Sequence, residues 1–257
     1  MDLCVAHHPV FEKFQPLTIT TRQEFTDGAY GSAPLLNPVP SFDEEYFEWI
    51  DVLESVDRAH GSYTMIELGA GYGRWSVRGA LAARRRGLDV RLVAVEGEPQ
   101  HFAWLKLHLA DNGIDPEQHW LIDAAVSDSE GETFFHAGKP REWYGQSISS
   151  QDTGYLIRKV TLVSILEVLA GPVDLIDLDV QGEEFKIVWA SIDALNAKVK
   201  RLHIGTHSLD IEEGLRTLLK AQGWQCLADF SLARTNDTPY GSISFVDGVQ
   251  SWVNLRL

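Results

Sequence analysis

Two stretches of this 257-residue sequence carry residue types at spacings that can do chemistry. The first is Glu67-Leu68-Gly69-Ala70-Gly71-Tyr72-Gly73. Glycines at alternate positions permit a tight turn and let backbone approach a ligand closely. The turn follows the apolar run 63–68 and precedes a helical pattern that starts at Arg74, the context such turns need. A helix N-terminus carries partial positive charge and free N–H groups, which suit a carboxylate or a phosphate. A dinucleotide fingerprint would place a third glycine at position 74, which is Arg74. Glu67 would also repel a pyrophosphate. The plain alternative is a strand-to-helix connection with no ligand.

The next apolar strand, 90–95, ends at Glu96, 23 residues past Gly73. A carboxylate there can accept both hydrogen bonds of a ribose diol. Asp123, at the third strand and followed by Ala124, is placed to meet an adenine amino group, or is an ordinary strand-end acid. An adenosyl ligand bearing ammonium and sulfonium charges would sit well beside Glu67. The sequence therefore points to S-adenosylmethionine, with Glu67, Gly69, Ala70, Gly71, Tyr72, Gly73, Glu96, Asp123 and Ala124 as its contacts.

The second stretch is 173–184, Val-Asp-Leu-Ile-Asp-Leu-Asp-Val-Gln-Gly-Glu-Glu. Strand side chains alternate, so Asp177 and Asp179 share a face, roughly 7 Å apart. Acids in a buried parallel strand are costly unless they serve a purpose. The following strand ends at His207, which is expected beside them. Methyl transfer to oxygen needs an aligned nucleophile and a proton acceptor. His207 is the candidate base, with Asp179 and Asp177 orienting or polarising; a satisfied structural histidine is the alternative. The same three residues could hold a divalent cation such as Mg²⁺. No third acid is placed by spacing, so no metal ligand is assigned.

These residues need a scaffold that brings strand ends together. From about residue 62 the pattern alternates strand and helix: strands at 63–68, 90–95, 119–126, 173–180, 201–206 and 224–230, helices from 74, 99, 183 and 211. Ser242–Val246 and Trp252–Leu257 read as closing strands, the last ones antiparallel. Thr133–Ala137 reads as a return strand, and 138–159 as an excursion containing Trp143-Tyr144-Gly145-Gln146-Ser147, a pocket lining or a packed loop. Ser41/Glu44 and Ser164/Glu167 read as capping boxes. Trp49, Trp104, Trp189 and Trp224 fall at core positions. Residues 1–60 form an N-terminal extension with a lid helix, in which Gly28, Tyr30 and Gly31 could belong to the lid. Residues 61–257 form the cofactor-binding domain. The fold class is α/β, a Rossmann-like sheet with helices on both faces.

The motifs resemble those of the FkbM-type methyltransferases over roughly residues 60–230. The likeness rests on 65–73, on Val93-Ala94-Val95-Glu96-Gly97-Glu98-Pro99, on Asn112-Gly113, on Ala124–Ser127 with Gly131, and on 174–184. In the last block Asp174, Asp179, Val180, Gly182 and Glu184 match; Asp177 stands where the family has Lys, Gln181 where it has Glu, and Glu183 where it has Ala. The resemblance implies a seven-stranded sheet with one antiparallel strand, S-adenosylmethionine, and O-methylation of a sugar or natural-product hydroxyl. The Lys-to-Asp departure is the sequence's argument for a cation.

Charge narrows the partners. Lys and Arg number 22 against 37 Asp and Glu, a net −15, which disfavours a phosphate backbone. Arg84-Arg85-Arg86 reads as a solvated helix end. Cys4 and Cys226 fit no zinc spacing and read as inert. No apolar run has the length of a membrane span and no signal peptide is apparent, so a cytoplasmic protein is expected. The competing readings are an NAD-linked oxidoreductase, which Arg74 disfavours, and a non-catalytic S-adenosylmethionine-binding scaffold. The oligomeric state is not legible.

Overall fold

The computed structural model describes residues 7–14, 17–25, 34–36, 40–136, 148–149 and 154–257. Seven strands make the central sheet, numbered here along the chain: β1 Ser62–Leu68, β2 Asp89–Glu96, β3 Trp120–Asp123, β4 Leu175–Leu178, β5 Arg201–Thr206, β6 Trp224–Phe230 and β7 Gly248–Asn254. Their spatial order is β3-β2-β1-β4-β5-β7-β6. Neighbours run parallel from β3 to β5, and β7 is antiparallel to both β5 and β6. The chain order reverses between β1 and β4. Open α/β sheets bind ligands at such a point, outside the carboxyl ends of the strands.

Helices cover both faces. On one lie α1 Glu45–Arg58, α2 Arg74–Arg85 and α3 Pro99–Asp111, whose Trp49, Val52, Val77, Ala80, Leu105 and Leu109 share a core with Met65 and Leu92. On the other lie α4 Leu162–Val168, α5 Glu184–Ala190, α6 Ile192–Lys198 and α7 Leu209–Ala221. Their Ile165, Ile187, Leu195 and Leu215 pack with Ile66, Ile176 and Trp252. β1 is buried along nearly its whole length, as a parallel strand covered on both faces must be. The seven-stranded α/β expectation, with helices on both faces, is met.

Several local expectations are corrected. Ser242–Val246 does not join the central sheet: Gly241–Phe245 pairs with Arg234–Thr238 in a separate hairpin. Ile243 and Phe245 are buried while Ser242 and Ser244 are exposed, so this strand has one apolar face and lies as a flap on the core. The reversed strand begins at Gly248, earlier than hydropathy suggests, because Gln250 and Ser251 are buried polar residues. Neither capping box forms. Ser41 bonds Asp43, and Glu44 accepts from the backbone N–H groups of Val246 and Asp247. The strand Gly154–Thr161 runs up to α4, so Thr161 is its cap, accepting from Ser164 N at 3.1 Å. Trp49, Trp104 and Trp224 are buried, but Trp189 is 62% exposed; α5 turns Glu184, Ile187 and Val188 inward instead. Cys226 sits half-buried in β6, its thiol pushed up by burial.

Beside the β2 end lies a smaller sheet. Gly131–His136 pairs antiparallel with Gly154–Thr161, and Ala125–Ser127 runs parallel to the latter's end. It buries Phe135 and Ile157 over Gly97. No helix among the described residues is long and apolar enough to cross a membrane. Cys4, Gly28, Tyr30, Gly31 and Trp143–Ser147 lie outside the described residues.

Candidate functional site

A cleft of about 280 Å³ opens at the carboxyl ends of β1, β4 and β5. Its described walls are Glu44, Glu45 and Glu48 of the α1 region, residues 67 and 69–72 of the glycine turn, Arg74, Trp75, Asp177, Asp179, His203, Gly205 and 247–249. Gly69, Gly71 and Gly73 all have positive φ, +79°, +55° and +75°, so the turn uses the freedom only glycine offers cheaply. Gly69 also needs its missing side chain. A Cβ there would lie 1.9 Å from the Asp179 carbonyl oxygen, so the turn presses directly on the end of β4.

The turn's donors are mostly satisfied internally, contrary to the expected open cradle. Gly69 N and Ala70 N both donate to Val95 O, Gly73 N donates to Ala70 O, and Gly71 N donates to Glu96 Oε2 at 2.6 Å. Glu67 lines the cleft and also serves the helix behind it. Its two oxygens accept from Trp75 N at 3.0 Å and Ser76 N at 2.8 Å. It caps the first turn of α2 from the preceding strand, and burial pushes its pKa up. The turn therefore contributes shape and space, while the helix's positive end is already matched by Glu67.

The guanidinium of Arg74 stands in the cleft, the one such group among its described lining residues. It bonds the Tyr72 hydroxyl at 2.8 Å and pairs with Glu45. The sequence marked this position only as a missing glycine.

Glu96 ends β2 with both oxygens engaged by backbone, Oε2 with Gly71 N and Oε1 with Glu98 N at 2.7 Å. A carboxylate has about four acceptor sites, so each oxygen keeps capacity for a ligand hydroxyl. Burial raises the Glu96 pKa to about 7, against the opposing pull of those N–H groups. Asp123 lies beside Glu96 in register and is exposed; Ala124 is buried and donates to Glu96 O. Neither these two nor Glu96 is among the cleft's described walls. Tyr155, from the small sheet, reaches the Gly97 carbonyl at 3.4 Å, and its pKa is raised by burial and by Glu98, Glu96 and Asp123. It is a candidate contact the sequence did not expose, because it lies in the excursion that shows no clear period.

The strand-four acids divide. Asp177 and Asp179 both line the cleft, but they do not converge with His207 as a trio. Asp177 groups with Glu48 and His203, while Asp179 groups with Glu184 and His207. Glu48 and Glu184 are the acids that spacing could not supply, since each arrives on a helix. His207 Nδ1 is 2.7 Å from Glu184 and its Nε2 is 3.4 Å from Asp179. Burial opposes its charge, but these carboxylates outweigh that and hold its pKa at about 9. The raised pKa favours the imidazolium form, which counts against His207 as the proton acceptor expected from the sequence.

That pairing has a consequence for stability. A histidine whose folded pKa is raised contributes stability fully below its unfolded value of 6.5 and loses it as pH rises through about 9. The native chain is expected to lose up to about 3 kcal/mol across that window relative to His207→Gln. Urea unfolding of both proteins from pH 6 to 10 checks it; parallel profiles would remove the imidazolium pair.

No protein-family model matches the chain. A curated protein of Jannaschia sp. (strain CCS1), named "Putative methyltransferase", is 32% identical over 224 residues, 82% of this chain and 80% of that protein. Among solved structures, the methyltransferase FkbM of Methylobacillus flagellatus KT superposes with a TM-score of 0.51 at 13% identity. The match covers 76% of this chain and only 44% of that one. A precorrin-6y C5,15-methyltransferase of Geobacter metallireducens GS-15 gives a TM-score of 0.48 at 14% identity over 84% and 90% of the two chains. At such identity the first speaks for the fold alone, and the second is too distant to add to it.

Proposed function

We propose a reaction from one premise, that this chain belongs to the methyltransferase family. It takes the methyl group from S-adenosylmethionine and places it on a hydroxyl of a small acceptor, a sugar or another natural-product metabolite, as the FkbM-like motifs imply. The observation that carries the reading is the glycine turn at the end of β1, opening on a cleft at the point where strand order reverses.

S-adenosylmethionine, when bound, supplies an electrophilic methyl on a sulfonium. The residues fit that group. Arg74 suits its carboxylate, the carboxylates of the cleft suit its two positive charges, and Glu96, Asp123 and Tyr155 suit the ribose and adenine. With His207 protonated, the acceptor's proton falls to a carboxylate, and half-exposed Asp179 is the one we assign. Glu44, Glu45 and Glu48 of the α1 region cover the acceptor side.

The lining also bears on the acceptor. Glu44, Glu45, Glu48, Glu67, Asp177, Asp179 and Asp247 face a single Arg74 among the described walls. Such a cleft repels a polyphosphate backbone, which supports a small acceptor over RNA. It also favours the second reading, a cationic amine acceptor.

Calorimetry with S-adenosylmethionine, then turnover to S-adenosylhomocysteine on panels of hydroxylated compounds, amines and RNA, separates these readings. Absence of cofactor binding sinks the proposal, and turnover on RNA alone sinks its acceptor class. Glu96→Gln is expected to weaken cofactor binding about 10- to 100-fold, the worth of charge-assisted hydrogen bonds. The native protein should also bind more weakly as pH falls below about 7, where Glu96 takes up a proton. Unchanged affinity in the variant would take Glu96 out of the site.

A further inference from the structure

We infer that the cleft holds a divalent cation of the Mg²⁺/Mn²⁺ class on Glu48, Asp177 and His203. One ligand atom from each lies within 4.8 Å of the others. They come from three elements, α1, β4 and β5, so no sequence spacing announces the set. All three line the cleft.

Two independent observations point to a ligand rather than to an acid cluster alone. Asp177 is 3% exposed and lines the cleft, yet no donor among the described residues hydrogen-bonds its carboxylate. A buried carboxylate without donors is costly and calls for a cation or a proton. His203, 1% exposed, is held from behind: its Nδ1 is 2.7 Å from Asp51 Oδ2. Asp51 is itself fixed by Arg201 Nη1 at 2.6 Å and by Ser251. A carboxylate on one ring nitrogen fixes the tautomer and leaves the other nitrogen's lone pair for a metal, the usual support of a metal-bound histidine. That nitrogen, Nε2, stands on the Glu48 side, 3.8 Å from Oε1.

Nearby guanidinium groups make their contacts elsewhere, although Arg78 Nη1 is buried without a hydrogen-bond partner. Arg74 bonds Tyr72 and Glu45. Arg78 stacks on Trp49 and Trp75 at 4.4 and 4.1 Å. Neither hydrogen-bonds Glu48 or Asp177. The neighbouring set Asp179, Glu184 and His207 is the weaker candidate, because Glu184 Oε1 already holds His207 Nδ1 and Gly182 N and Asp179 Oδ1 already holds Gln181 Nε2, although Glu184 Oε2 and His207 Nε2 are buried without hydrogen-bond partners.

Two carboxylates and one imidazole suit hard to borderline divalent ions. Three protein ligands leave coordination positions toward the cleft, where an acceptor hydroxyl would bind and lose its proton more readily. That last step rests on the methyl-transfer reading; the ion site does not.

The test is Mn²⁺ binding to the full chain after chelator dialysis, followed by calorimetry and electron paramagnetic resonance. One equivalent is expected, with a coupled imidazole nitrogen that vanishes in His203→Gln. Glu48→Gln and Asp177→Asn should each weaken binding by about tenfold or more, while His207→Gln stays within about twofold. Circular dichroism on each variant separates lost ligation from lost fold, and the nitrogen coupling in the unmutated protein tests the site without any variant. No stoichiometric binding, no nitrogen coupling, or loss confined to His207→Gln would overturn it. S-adenosylmethionine calorimetry on the same samples tells the two failures apart. Cofactor binding without Mn²⁺ removes the ion alone, and Mn²⁺ without cofactor binding removes the methyl-transfer reading.

Discussion

Gly69→Ala is expected to destabilise the chain by about 2–5 kcal/mol and to abolish detectable S-adenosylmethionine binding. Two costs add. Gly69 sits at φ +79°, where a side chain costs roughly 1–2 kcal/mol. The new methyl would also lie 1.9 Å from the Asp179 carbonyl oxygen. That oxygen belongs to backbone at the end of β4, where Asp179 N donates to Leu68 O at 3.0 Å. It cannot swing aside as a side-chain tip would, so overpacking adds about 1–3 kcal/mol or more. The turn or the strand end must move, and both line the cleft. Gly61→Ala is the control. It also has positive φ, +72°, but its Cβ would meet nothing within 4 Å, so it carries the conformational cost alone. Urea unfolding of the three proteins gives both numbers. Equal losses in the two variants would show that φ, not the approach to β4, governs position 69.

The glycine turn was legible because its signal is local. Strand, turn and helix are contiguous, so Gly69, Gly71, Gly73 and Glu96 could be placed before any coordinates. The buried strands β1, β2 and β4 were legible for the same reason, as short apolar runs bounded by turns. What escaped depends on contacts between distant segments. Glu67 has the charge a cationic ligand wants, but its position eight and nine residues before Trp75 N and Ser76 N makes it a helix cap. Arg74 reads as a broken motif until the fold puts its side chain in the cleft. Glu48 sits on a helical face whose other members are core residues. It meets Asp177 and His203 only because α1 packs across β4, β5 and β7. His207 was found at the right place, but its partner Glu184, which reaches it from α5, was not. The flap strand and Gly248–Asn254 were misplaced because hydropathy cannot tell one-sided burial from a central strand that buries Gln250 and Ser251.

Asp51→Ala is expected to cost about 3–5 kcal/mol, because it strips the partner from buried charge. Asp51, Arg201 and His203 are all buried. Asp51 takes Arg201 on one oxygen and His203 with Ser251 on the other. Arg201 keeps Glu54 in the variant, while His203 loses its only bond to Nδ1 among the described residues. Removing one member of such a set costs more than the set contributes, since the others remain desolvated. Acid unfolding supplies an independent check. Burial pushes the Asp51 pKa up, but His203 and Arg201 outweigh it and hold it below the ordinary 3.8. Its stabilisation is therefore complete above 3.8 and lost as pH falls through the lower folded value. The native protein should converge on Asp51→Ala in strong acid and exceed it near neutrality. A difference below about 1 kcal/mol at pH 7 would mean that water satisfies these groups. His203 would then lack its fixed tautomer, and the lone pair assigned to the cation would have no structural cause.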